Sequence, residues 1–190
     1  MKKRLICIFA ALTVMLTASA YKQPETAPRT EKQEKLHELA NMARDMGLPE
    51  DNPIIKEAQR LWWSEQREMQ ILANVILHEA PYCTDRHQQL VAQVVLNRKE
   101  SPMFPNTVEA VVNQPGQYNP VYTRNLPTWD TADEEQQRAF RNAIAAMNGE
   151  VECPENVVYQ SEFDFLGSRI YEEITVDTGW FKSTTYFNYG

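Results

Sequence analysis

From Pro53 to Glu79 the apolar residues Ile55, Ala58, Trp62, Met69, Leu72 and Ile76 recur at helical steps, and Pro81 then cuts the run short. A periodic run of this length must bury a continuous stripe, so the rest of the fold has to pack around it. Ser64 is able to cap a fresh helix, which leaves open one long rod or two helices jointed near Trp63. Glu79 falls on the stripe of Leu72 and Ile76 and is therefore expected to point inward. A glutamate is costly to bury ionised. At a helix C-terminus it also meets the negative end of the helix dipole, so its pKa should rise and leave a protonated acid able to serve a glycosidic oxygen. The plain alternative is a glutamate turned to solvent at a frayed helix end.

Other segments fill in the frame. "EKQEKLHELANMARDMG" reads as a peripheral amphipathic helix with Leu36, Leu39, Ala43 and Met46 inward and Gly47 as its stop. Thr84 is placed to cap a helix that buries Leu90, Val91, Val94 and Val95. A proline-rich loop with one short helix near Thr107 to Val112 follows. Thr131 and Glu134 then read as a capping box opening a helix with Phe140, Ala143, Ile144 and Met147 inward, stopped by Gly149. The tail is rich in β-branched and aromatic residues and reads as a small antiparallel sheet. Helices beside a small sheet predict an α+β domain.

Residues 1–20, "MKKRLICIFAALTVMLTASA", have the basic start, apolar centre and small-residue end of a secretory signal peptide cleaved after Ala20. Residues 21–30 read as a flexible tether. Removing the signal takes three of the 19 basic residues and none of the 26 acidic ones, which leaves a net charge of −10. Such a surface disfavours nucleic acid and anionic membranes. Cys83 and Cys153 remain, and in an exported chain two cysteines are expected to pair, closing a long loop. His78-Glu79 starts like a zinc-protease motif, but the position four residues after His78 is Tyr82. With three histidines in the chain, no metal site and no cofactor are expected. Cys83 with His87 as thiol and base has nothing evident to lower the thiol pKa. The loop offers Asn113, Gln114, Gln117 and Asn119 for hydrogen bonds to sugar hydroxyl and acetamido groups, and Tyr118, Tyr122 and Trp129 for stacking on pyranose faces.

From about Ser64 onward the sequence resembles the SleB/CwlJ-type cell-wall hydrolase family. The resemblance is carried by His78-Glu79-Ala80, by Val94 to Arg98 in the place of Val-Val-Leu-Asn-Arg, by Phe104 to Thr107 as Phe-Pro-Asn-Thr, and by Gln114 to Tyr118 in the place of Gln-Pro-x-Gln-Phe. It thins toward the C-terminus. It implies residues 64–190 as a catalytic domain of lysozyme-like fold, with 21–63 as tether and helical extension. The implied activity is lytic transglycosylation of the β-1,4 bond between N-acetylmuramic acid and N-acetylglucosamine in peptidoglycan, by a monomeric enzyme exported to the cell envelope. Glu79 matches the family's catalytic glutamate, while Asn97, Gln114, Gln117, Tyr118 and Tyr159 are the implied substrate-binding residues.

Two departures bear on rate and substrate choice. His78 stands where a small residue is usual, and Pro81-Tyr82-Cys83 replaces Arg-Gly-Glu, so that Asp85 becomes the nearest substitute for a second acid. A Cys83–Cys153 bridge would pin the loop after Glu79. The alternatives are an amidase cutting the link to the stem peptide, which commonly needs zinc, and a wall-binding or spore-coat protein without catalysis.

Overall fold

A computed structural model describes residues 27–164, 169–179 and 182–190 of the chain. The signal sequence expected at residues 1–20 lies outside them. Helix α1 (Glu31–Asp45) is followed by α2 (Pro53–Glu79), α3 (Asp85–Glu100), the short α4 (Val108–Val112) and α5 (Glu134–Met147), with 3-10 turns at Pro120–Thr123 and Trp129–Thr131. Strands β1 (Val157–Ser161), β2 (Ile170–Asp177) and β3 (Lys182–Tyr189) form one antiparallel sheet in the order β1-β3-β2. The fold is α+β, as the sequence predicts, with a small sheet at the C-terminal end.

Helix α2 is one uninterrupted rod of 27 residues, capped by Asn52 with Pro53 in its first turn. Its second half is buried on nearly every side, Ile71 to Ile76 in sequence, because α3, α5 and the α4 region all pack on it. Leu90, Val91, Val94 and Val95 of α3 and Phe140, Ala143 and Ile144 of α5 complete this core. The cap of α5 is Asp133, whose carboxylate accepts from the backbone of Gln136 while the Gln136 side chain accepts from the backbone of Asp133. Thr131 instead ends the preceding 3-10 turn, so the helix opens two residues later than the Thr131–Glu134 pair predicts.

Helix α1 follows the predicted inward face only in part: Ala43 is buried and Leu36 half-buried as expected, but Leu39 and Met46 are not. Ala40, Ala43 and Gln33 are buried, while Leu39 and Met46 are exposed with Met42. Small residues let α1 lie close on α2, and polar partners decide the register. Thr30, read as the end of a tether, is 1% exposed, caps α1 and donates to buried Glu65 at 3.2 Å. Lys32 reaches the same carboxylate at 2.6 Å, and Gln33 donates to Gln66. Glu65 satisfied by two partners explains why a carboxylate is tolerated there.

The sheet hangs on α3 through side chains. Asn97 donates to the carbonyls of Pro154 (2.8 Å) and Val157 (2.9 Å), and Arg98 Nε donates to that of Val158 at 2.6 Å. Asn97, implied above as a substrate-binding residue, is thus a buried tie between α3 and β1.

Candidate active site

Helix α2 ends at Glu79 because Ala80 leaves the helical region and Pro81 cannot continue the hydrogen-bond ladder. Tyr82 then takes a left-handed conformation, φ 58°, and its N–H is held by Glu135 at 2.9 Å. The turn is sewn to α3 and α5 by polar side chains. Gln88 donates to the carbonyl of Ala80 and to Glu135, Arg138 donates to the carbonyl of Cys83 at 2.6 Å and to Asp85 at 2.7 Å, and Asn142 bridges Asp85 and Gln88.

This network does what the disulfide was expected to do. The Cys83–Cys153 bridge is not formed, and both thiols are free. Each faces its own partners: Cys83 lies by Arg138 and Glu135, whereas the Cys153 sulfur faces Asn97 near Arg86 and Glu172. Burial pushes both thiol pKa values up, so neither is primed as a nucleophile. Asp85 is also accounted for, since Asn142 and Arg138 hold its carboxyl below the usual range.

Glu79 departs from the expected inward orientation. It is exposed while Leu72 and Ile76 are buried, because the last turn of α2 runs out of the core into the mouth of a cavity of about 470 Å³. Its carboxyl accepts from the amide of Gln160 at 3.3 Å and from the hydroxyl of Tyr122. Tyr122 is fixed in turn: its ring stacks on His78 with centroids 4.4 Å apart, Asn74 donates to its carbonyl, and His78 Nδ1 lies 2.8 Å from the carbonyl of Asn74. Partial burial raises the pKa of Glu79, with the like charge of Glu162 adding to it; Tyr122, His78 and Gln160 oppose. The carboxyl is therefore open to a ligand on one side and short of water on the others. The Tyr122 phenol is pushed up to about 12 by burial and by the charge of Glu79, so it stays a donor.

The far wall is organised by Arg98, only 3% exposed. Its guanidinium sits 5.3 Å from the ring centroid of Phe104, 5.5 Å from that of Tyr118 and 5.8 Å from that of Tyr159. Three separate sequence motifs thus converge on one cation and set two tyrosines along the groove. Gln117, Tyr118 and Tyr159 share the cavity with Glu79, while Asn97 and Gln114 are not among its lining residues. Trp129 packs on Phe140 and is 9% exposed. Asn119 caps the turn that carries Tyr122, and Asn113 accepts from Thr123. Gln160, Glu162 and His87 line the cavity without having been foreseen. Among the described residues no three His, Cys, Asp or Glu side chains cluster as a metal site, and no helix is long and apolar enough to cross a membrane.

The sequence profile of the Cell Wall Hydrolase family matches residues 84–183, just over half of the chain. The chain belongs to the cell wall hydrolase family. Searches of curated proteins and of solved structures gave no match. Peptidoglycan is accordingly the substrate class of this cell wall hydrolase, and the cell envelope or its exterior is where it works. The matched span holds Arg98, Phe104, Gln117, Tyr118 and Tyr159; Glu79 stands five residues ahead of it.

Proposed function

We propose that this cell wall hydrolase is a lytic transglycosylase with Glu79 as its general acid and base. The observation that carries the reading is one carboxyl of raised pKa, held by two neutral donors, at the mouth of a cavity walled by Tyr118 and Tyr159. Protonated Glu79 gives its proton to the glycosidic oxygen as the bond from C1 of N-acetylmuramic acid breaks. The resulting carboxylate then takes the proton of the muramoyl C6 hydroxyl while its oxygen bonds to C1. The acid is restored, an anhydro ring closes and no water is consumed. Tyr122 and Gln160 stabilise the carboxylate that exists between the two transfers. The catalytic unit is residues 64–190, acting as a monomer after export and cleavage behind Ala20.

A second reading has one specific observation in its favour. Glu162 lines the same cavity and lies near enough to act on the charge of Glu79. Two carboxylates across a glycosidic bond are the machinery of a hydrolase that uses water. Asp85, tied to Arg138 and Asn142, is not available for that part.

Mass spectrometry of fragments released from purified peptidoglycan by residues Tyr21 to Gly190 separates the readings. Anhydro-muramic ends, absent with Glu79→Gln, are expected. Reducing ends that vanish with Glu162→Gln would replace the transglycosylase by the hydrolase. Free stem peptides would mean an amidase, and wall binding without release would mean a binding protein.

A further inference from the structure

His78 is exposed, next to Glu79 at the end of α2, and yet its ring is held at two points. Nδ1 lies 2.8 Å from the backbone carbonyl of Asn74, one turn back; a carbonyl only accepts, so Nδ1 carries the hydrogen. The face of the ring is stacked on Tyr122, with centroids 4.4 Å apart and planes 30° apart. The same Asn74, 6% exposed, gives its side-chain amide to the Tyr122 carbonyl at 2.9 Å. One buried asparagine thus holds both residues, and the hydroxyl of the second bonds the Glu79 carboxyl.

Stability does not account for the arrangement. An exposed imidazole removes little apolar surface from water. The turn that carries Tyr122 keeps its own ties whatever stands at position 78, namely the Asn119 cap and the Asn74 bond to the Tyr122 carbonyl. Those ties hold backbone, and they leave the direction of the Tyr122 side chain open. The stack on His78 closes that freedom. A small residue is usual at this position in the family, so the stack is a property of this chain.

We infer that His78 is a positioning residue for the reaction: stacked on Tyr122 and tied to Asn74, it keeps the tyrosine hydroxyl on the carboxyl of Glu79. Neither His78 nor Tyr122 is among the residues lining the Glu79 cavity, so the pair acts on the acid and not on the glycan. Among the described residues, the titratable groups facing Glu79 are His78 on α2, Tyr122 from the 3-10 turn, Tyr118 from the loop before it and Glu162 just past β1, with Arg98 across the cavity. His78 reaches the acid by two routes, the Tyr122 hydroxyl and its own charge, and both favour the carboxylate. The hydroxyl is the route proposed here. The inference rests on Glu79 as general acid and base and adds what holds its partner in place.

The test compares His78→Ala, His78→Phe, Tyr122→Phe and the His78→Ala/Tyr122→Phe double variant by two readouts, kinetics on solubilised peptidoglycan strands and carbon-13 NMR titration of the Glu79 carboxyl. His78→Ala should lower kcat about tenfold with KM held, since a hydrogen bond to a carboxylate is at stake. Its Glu79 midpoint should move to higher pH, while its melting temperature stays within about 2 °C of the wild type. His78→Phe keeps a flat ring under Tyr122 without the charge, and should recover most of both losses. The double variant should match Tyr122→Phe alone, because without the hydroxyl there is nothing to position. An unmoved Glu79 midpoint in His78→Ala, additive effects in the double variant, or His78→Phe as impaired as His78→Ala would overturn the inference, the last by assigning the effect to charge. Failure of the parent reading looks different: the midpoint would still shift in His78→Ala, but Glu79→Gln would go on releasing fragments or the wild type would release none.

Discussion

Replacing Asn97 with alanine separates a structural tie from a substrate contact. Asn97 is 6% exposed, donates to the carbonyls of Pro154 and Val157, and accepts from Gln93 at 2.8 Å. The alanine variant leaves the Val157 carbonyl buried without a donor, which costs about 1–3 kcal/mol. The partly buried Pro154 carbonyl keeps the Val157 N–H as a donor at 3.0 Å, so its lost bond adds about 1 kcal/mol. We therefore expect a loss of about 3 kcal/mol, and for a chain of this size a fall in melting temperature of about 6–12 °C. Urea unfolding followed by circular dichroism, with fragment release measured well below the transition, gives both readouts. Activity should fall with the sheet, because β1 carries Tyr159 and Gln160 into the cavity. A variant with an unchanged unfolding midpoint and lost activity would refute this reasoning and return Asn97 to the groove.

Further predictions rest on the charges around Glu79 and on two other polar sites. The acid works protonated, so kcat/KM falls as pH rises through its pKa. Tyr122→Phe removes a donor to the carboxylate and should move that falling limb to higher pH, while Glu162→Gln removes a like charge and should move it lower; pH–rate profiles shifting in the same direction would refute the electrostatic account. Because the folded-state pKa of Glu79 is raised, its ionisation opposes folding, and the stability present below the ordinary carboxylate range is lost as pH climbs through the folded value. Glu79→Gln should therefore melt higher than the wild type at pH 7 and about equally at pH 4, by scanning calorimetry. Thiol titration of the denatured, unreduced protein from Tyr21 onward should find both Cys83 and Cys153 free, and finding neither would restore the bridge. Glu65→Ala should cost about 1–2 kcal/mol and raise hydrogen exchange in α1, since Thr30 and Lys32 lose their shared partner.

What the sequence told of the fold was what periodicity and local chemistry carry. The helical stripe of Pro53–Glu79, the Thr84 cap, the buried face of α3 and the C-terminal sheet all follow from spacing that needs no partner to interpret, whereas the continuity of α2 past Ser64 does not. On α1 Leu36 and Ala43 keep to the predicted face, but hydropathy ranks Leu39 and Met46 above Ala40 and Gln33, which are the residues buried. Close packing against α2 favours small residues, and the buried Glu65 cluster draws in the polar ones. The inward placement of Glu79 failed for a related reason. Its spacing sets the side of the helix, but not how far the core extends along it.

The site itself shows where sequence reasoning runs out. Strand alternation puts neighbouring residues on opposite faces, so Tyr159 and Gln160 should not both meet the cavity. Both line it all the same, together with Ser161 and Glu162 where β1 ends, and no pattern in the sequence announces that. The carboxyl of Glu79 is positioned by pieces from opposite ends of the domain: Tyr122 from a turn held by Asn74, and Gln160 from a strand hung on Asn97 and Arg98. Those anchors are all side chains bonding to backbone carbonyls, the class of contact that hydropathy and periodicity leave unread. The position of the acid is therefore a tertiary property even though its identity is a local one. Changes at Asn74 or Asn97, neither of them in the cavity lining, should act on catalysis by displacing the donors that keep Glu79 in place.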